Sequence, residues 1–162
     1  MSRPSNTGCA GFTLIELLVV VAILGITASI AIPQFKTITR NATLRAAARE
    51  LYGQFQRAKM EAIKRNETVA IVFSTSGPDN YSIFTDPDGS RTFSAGETSF
   101  GVTNMPQGLL LENISFSNAS TSFTAKGRPG GGSGSVDIKD AGSDKAIRLT
   151  TSPAGYVHLV DK

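Results

Sequence analysis

Residues 12–32 read FTLIELLVVVAILGITASIAI, an apolar run of 21 residues broken by one charge, Glu16. No other feature narrows the possible folds so much. At about 1.5 Å per residue the run makes a helix of roughly 31 Å, close to the roughly 30 Å hydrocarbon core of a bilayer. Two ordinary readings compete. A cleaved secretory signal finds a thin basic region in Arg3 and a small-x-small site at Ser29-Ile30-Ala31, but Glu16 interrupts the apolar region and the run is long for a signal. A permanent anchor has the right length. A lipoprotein signal fails, because Cys9 precedes the run instead of following it. Glu16 is the unusual residue. A carboxylate inside a membrane costs about 2.5–3.5 kcal/mol on insertion scales and marks a functional position by default. The plainer alternative is that Glu16, near one end of the run, snorkels to the headgroups.

The 162-residue chain as a whole is balanced: 40% hydrophobic, 18% charged, with a mean hydropathy close to zero. That composition excludes disorder of the entire chain, and the length suits one domain with an appendage. One cysteine excludes an internal disulfide and a Cys-rich zinc site, and one histidine excludes a multi-His metal centre.

After Pro33 the pattern stays helical. Leu44, Ala48, Leu51, Phe55, Ala58 and Ala62 recur at steps of three or four, so one apolar stripe runs down a helix face. Residues 12–65 then form a helix of roughly 80 Å. Pro33 is expected to kink it, and Gly25, Thr27 and Ser29 mark a weak stretch before the kink. Charge is distributed unevenly along the chain. Residues 33–65 carry +6, residues 66–162 carry −3, and the total is +3. The basic helix suits anionic headgroups or acidic neighbours, or is simply a solvated face.

Beyond Asn66 the period becomes alternating. Thr68–Phe73 and Asn80–Thr85 read as strands, followed by turn chemistry at Asp86-Pro87-Asp88-Gly89. Gly108–Phe116 is a third strand, and Ser122–Ala125, Ser135–Lys139, Ala146–Thr151 and Gly155–Val160 are shorter ones. The expected fold class is α+β. A long N-terminal helix, membrane-spanning in its first half, packs its second half on a C-terminal antiparallel β domain.

Gly11-Phe12-Thr13-Leu14-Ile15-Glu16 resembles the class III signal of type IV pilins and type II secretion pseudopilins. The resemblance implies cleavage by a prepilin peptidase between Gly11 and Phe12, N-methylation of Phe12, and retention of the apolar helix. It also implies that Glu16, fifth in the processed chain, pairs with the N-terminal amine of a neighbouring subunit during assembly. Such pairing makes physical sense, since a buried carboxylate is tolerable when a cation neutralises it. The family's corresponding helix segment can unwind in a filament, which again points to Gly25 and Pro33. The resulting expectation is a leader over 1–11, a transmembrane and assembly helix over 12–32, an amphipathic continuation over 33–65, and the β domain over 66–162. Loss of the leader removes Cys9 and Arg3 and leaves +2. The positive-inside rule opposes this orientation, because Lys36, Arg40, Arg45 and Arg49 follow the run and only Arg3 precedes it. The motif overrides the rule here, since those cations belong to the continuing helix.

Later elements narrow the resemblance to the GspH/FimT branch of minor pseudopilins and minor pilins. They are the helix end Arg57-Ala58-Lys59-Met60-Glu61-Ala62-Ile63-Lys64-Arg65-Asn66, the Asp86–Gly89 turn, Phe123-x-x-x-Gly127-Arg128, and Gly155-Tyr156-Val157-His158. The branch implies a structural subunit at or near the tip of a pilus or pseudopilus that helps start assembly. Its partners would be other pilin-like subunits, the prepilin peptidase, an inner-membrane assembly platform and membrane lipid. The chain would sit in the inner membrane with its β domain in the periplasm.

Other chemistries fit less well. His158 is isolated in a strand pattern. Asp86 and Asp88 have the alternation that opens an EF-hand calcium loop, but Ser90 departs from the acidic or amide residue required next, so a hairpin turn is expected. The glycine-rich stretch 127–135 lacks the Gly-Lys-Ser/Thr ending of a phosphate loop. No cofactor, no metal and no enzymatic activity are expected. The alternative function is a DNA-binding minor pilin acting in natural transformation. In such proteins a Gly-Arg-x-Arg element carries the contact, and the matching Gly155-Tyr156-Val157-His158 lacks both arginines. Lys126, Arg128, Lys145 and Arg148 remain as phosphate contacts, with Asp137, Asp140 and Asp144 interspersed.

Overall fold

The computed structural model describes residues 11–162, so the expected leader, with Arg3 and Cys9, lies almost wholly outside the described residues. One helix, α1 (Leu14–Arg65), is followed by eight strands: β1 (Val69–Ser74), β2 (Asn80–Thr85), β3 (Ser99–Asn104), β4 (Leu109–Glu112), β5 (Ser120–Phe123), β6 (Gly134–Asp140), β7 (Ala146–Thr151) and β8 (Val157–Asp161). The chain divides between Thr39 and Arg40 into two compact units. The first contains the apolar helix. The second contains the remaining helix and all the strands, and the fold class is α+β as expected.

Within the second unit the helix face read from the sequence is the buried one. Leu44, Ala48, Leu51, Phe55, Ala58 and Ala62 are all buried, joined by Ala47. The helix ends where its chemistry changes. Asn66 takes the left-handed conformation (φ 55°). Its N–H reaches the Ile63 carbonyl at 3.3 Å, and the Glu67 N–H reaches the Ala62 carbonyl at 3.2 Å. These two bonds form a Schellman cap, and asparagine tolerates the conformation better than most residues.

The strands form two four-stranded antiparallel sheets, ordered β3-β2-β1-β5 and β4-β6-β7-β8. The helix stripe and the inner faces of both sheets share one hydrophobic core. Phe55 sits at its aromatic centre, with ring centroids 6.2 Å from Phe73, 6.2 Å from Phe116 and 6.1 Å from Phe123. The second sheet contributes Leu111, Val136, Ile138 and Leu149 to the same core. These separations are those of favourable aromatic packing.

Two differences from the sequence reading have physical causes. The strand expected over Gly108–Phe116 stops at Glu112, where Asn113 turns to positive φ (50°) and its side chain bonds the Asp137 carboxylate at 3.0 Å. The chain stays tied to β6 through Ser115, whose N–H reaches the Ser135 carbonyl at 2.9 Å, and then delivers Phe116 to the core. Strand β3 has no counterpart among the expected strands. It is an edge strand with Gly101 in its interior, and only Phe100 and Thr103 are half-buried, so its alternation is faint.

Two glycines that carried the family resemblance prove to be packing positions. A Cβ on Gly155 (φ +82°) would lie 2.7 Å from the Gly127 carbonyl oxygen, and one on Gly127 (φ +71°) would lie 3.0 Å from Ile63. Lys59 donates to the Gly155 carbonyl at 3.1 Å. The elements 123–128 and 155–158 therefore meet on the end of α1, and side chains are excluded there by backbone proximity and φ together.

Candidate functional site

The N-terminal motif stands at the very start of α1. Gly11, Phe12 and Thr13 precede the helix, and Thr13 opens it. The Thr13 Oγ1 accepts the Glu16 backbone N–H at 3.2 Å, and the Leu17 N–H reaches the Thr13 carbonyl at 3.2 Å. Thr13-Leu14-Ile15-Glu16 thus follows the Ser/Thr-x-x-Glu pattern of a helix N-terminal capping box, a signal that the sequence carries and that the family motif overshadows. Glu16 lies in the first turn, where the helix dipole favours a negative charge. The motif has two separable chemical parts: a threonine that starts the helix, and a carboxylate held at its positive end.

The helix that follows is uncovered. Phe12 is 84% exposed, and Leu14, Ile15, Leu17, Leu24, Ile26 and Ile30 are all well exposed. α1 is long and apolar enough to cross a membrane. So much contiguous apolar surface requires lipid or other apolar helices around it. The hydroxyls of Thr27 and Ser29 are already satisfied within the helix. Thr27 donates to the Ile23 and Leu24 carbonyls at 3.1 and 3.0 Å, and Ser29 donates to Ile26 at 2.7 Å. That pattern suits a hydrocarbon environment. α1 continues through both Gly25 and Pro33. Pro33 supplies no N–H to the Ser29 carbonyl, so the ladder is weakened there.

The charged residues of the second unit are largely committed to structure. Arg148 grips Asp137 with two bonds, Nε at 2.6 Å and an Nη at 2.8 Å, and Lys162 reaches the same carboxylate at 3.1 Å. Asp137 is 1% exposed. Arg148 foremost, with Asn113 and Lys162, holds Asp137 well below the usual carboxylate range although burial works the other way. Arg148, a phosphate contact in the DNA reading, is therefore occupied. Lys145 bonds Asn41 at 3.1 Å, while Lys126 and Arg128 are exposed. His158 is exposed on β8. On the helix, Arg57 and Arg65 lie 5.8 and 5.0 Å from the Phe100 ring centroid, so part of the basic face covers the edge strand β3.

The Asp137 cluster has a pH signature. A carboxylate whose pKa is depressed by folding stabilises the fold above its unfolded pKa, and loses that contribution as pH falls toward the folded value. The unfolding midpoint should therefore decline on acidification below about pH 4. Asp137→Asn should be less stable at neutral pH and show a shallower acid decline. Equal acid slopes for the two proteins would remove Asp137 from this role.

Sequence and fold comparisons define the class. A family model described as type II transport protein GspH matches residues 47–155, and a prokaryotic N-terminal methylation motif matches residues 6–32. The chain belongs to the GspH family. It is 40% identical over 98 residues to the pilin-like protein PilA1 of Thermus thermophilus, covering 60% of this chain and 61% of that protein. It is 42% identical over 60 residues to a fimbrial protein of Pseudomonas aeruginosa, covering 37% of this chain and 39% of that one. The chain thus aligns with about three fifths or less of the length of these relatives. In fold it is similar to the minor pseudopilin EpsH from the type 2 secretion system of Vibrio cholerae, with a TM-score of 0.58 at 14% identity over 73% of this chain and 96% of that one. It is also similar to the type IV minor pilin FimU of Pseudomonas aeruginosa PAO1, with a TM-score of 0.56 at 22% identity over 76% and 92%.

Proposed function

We propose that this chain is a structural minor pilin or pseudopilin subunit, and that its working site is the N-terminal segment. The observation that carries the reading is the register of Gly11, Phe12 and Glu16 at the start of an uncovered apolar helix. A prepilin peptidase cleaves after Gly11 and the new amine of Phe12 is methylated. The helix then holds the protein in the inner membrane by a single pass, with the β domain in the periplasm. From there the subunit is drawn by an inner-membrane assembly platform into a pilus or pseudopilus, at or near the tip, where it helps start assembly. Glu16 neutralises the terminal amine of a neighbouring subunit as the helices pack together, and lipid covers the helix before that. Gly25 and Pro33 supply the stretch where the helix yields in the filament.

Mass spectrometry of the N-terminus of the protein isolated from cells tests this. The expected species begins at methylated Phe12. A chain beginning at Ile32 would instead make residues 1–31 a secretory signal, and an intact Met1 would leave a plain anchor. Either result overturns the reading.

A further inference from the structure

The connection between β2 and β3 holds a cluster that the filament role does not use. Asp86, Asp88 and Glu97 each offer a carboxylate oxygen, and these atoms all lie within 4.8 Å of one another. Asp86 is completely buried. Its Oδ1 accepts the Arg91 N–H at 3.2 Å, but its Oδ2 is buried without any hydrogen-bond partner. Glu97 repeats the pattern: one oxygen accepts the Ser94 N–H at 2.6 Å, and Oε1 is buried without a partner. Among the described residues no ion pair reaches any of the three. An unpartnered buried carboxylate oxygen is costly, and a cation beside it offsets that cost.

We propose that Asp86, Asp88 and Glu97 bind a calcium ion. The donors are all hard oxygens, which selects calcium or magnesium over transition metals. The loop spacing favours calcium. Counted from Asp86, Asp88 is third, Ser90 fifth and Glu97 twelfth, which are ligand positions of the twelve-residue calcium loop. The sharp turn that glycine makes at the sixth position of such loops is made here by Arg91 with φ 57°. Ser90 breaks the acidic alternation, which is why the local pattern reads as a plain hairpin turn until Glu97 is brought beside it. Calcium takes six to eight oxygens, so loop carbonyls and water complete the shell. Magnesium demands near-ideal octahedral geometry and gives up its waters reluctantly, which suits a partly open loop less well.

Three carboxylates this close repel one another, and a divalent cation between them relieves that repulsion. The loop is also tied at its base, so a bound ion would brace structure beyond itself. The Thr85 N–H reaches the Thr98 carbonyl at 2.9 Å, and the Thr98 N–H reaches Thr85 Oγ1 at 2.8 Å. The Asp86 N–H bonds the Thr68 carbonyl at 2.8 Å, joining the loop to the entry of β1. Phe93 in the loop packs edge-on against buried Phe84, with centroids 5.5 Å apart.

The test uses the full chain in detergent, stripped with a chelator and titrated calorimetrically with calcium chloride alone. One ion per chain should bind with a Kd of about 10⁻³ M or tighter. The thermal midpoint should rise with calcium concentration, the folded-to-unfolded ratio gaining roughly 100-fold at calcium about 100 times Kd. Magnesium at equal concentration should give a much smaller rise. Asp88 is exposed, so Asp88→Asn should unfold like the parent in chelator while binding calcium at least about tenfold more weakly. Glu97→Gln should also weaken calcium binding and serves as the second variant. The proposal is overturned by a midpoint that calcium does not move, by a magnesium response equal to that of calcium, or by parental calcium affinity in both variants.

Discussion

Glu16→Val is expected to insert into the membrane normally and to be lost from the assembled filament. Insertion should not suffer, because a carboxylate in an apolar segment opposes insertion, by about 2.5–3.5 kcal/mol at the middle of a span and less near its end. The helix should still start, since Thr13 Oγ1 accepts a backbone N–H that valine retains. What disappears is the negative charge that the proposed role sets against a neighbour's terminal amine. Recovery with sheared filaments, or co-purification with other pilin-like subunits, should fall by an order of magnitude or more. Glu16→Gln separates the proposed assembly charge from a part in starting the helix. Glutamine can serve a capping box as well as glutamate does but carries no charge. If the charge drives assembly, Gln fails as Val does. If Gln assembles like the parent, the residue serves the helix start and the assigned role is wrong.

Phe55→Ala should be among the most damaging single changes in the second unit. Phe55 is fully buried, and its ring touches aromatic partners from three other parts of the chain: Phe73 on β1, Phe123 on β5 and Phe116 after β4. Truncation leaves a cavity among rings that cannot all collapse toward it. Large-to-small changes of this kind cost about 3–5 kcal/mol, against a typical domain stability of about 5–15 kcal/mol. The variant should unfold at a much lower temperature or be degraded before assembly. A drop of under about 1 kcal/mol by denaturant titration would mean that Phe55 is not the keystone its contacts imply. Phe55→Leu, which keeps much of the volume, should recover most of the loss.

Much of this architecture is legible in the linear chain, and the reasons are local. The apolar run announces itself by length. The stripe from Leu44 to Ala62 is visible because one helix face is buried along its whole length, so period and burial coincide. Strands Asn80–Thr85 and Ala146–Thr151 lie where alternation and turn residues place them, because each has neighbours on both sides in its sheet. The edge strand Ser99–Asn104 escapes for the opposite reason. Its stability comes from pairing with β2, and its side chains face mostly outward. The pairing of Arg148 with Asp137 is likewise not legible in the chain, because the two residues lie on different strands eleven positions apart.

The N-terminal part of this protein can be understood from its residues in order. A helix carries its hydrogen bonds within its own segment, so an apolar run, a threonine that opens it and a lone glutamate can be interpreted without knowing the rest of the fold. Folding in three dimensions settles how the strands divide into two sheets around one core, which glycines are held by close backbone approach, and which charges are spent on internal pairs. Folding also makes Asp86, Asp88 and Glu97 converge with two buried oxygens unpaired. Sheet partners and buried ion pairs depend on residues of different strands becoming neighbours in space, and the carboxylate cluster depends on how its loop folds back. Burial then sets their energies, and burial is a property of the folded chain rather than of any segment.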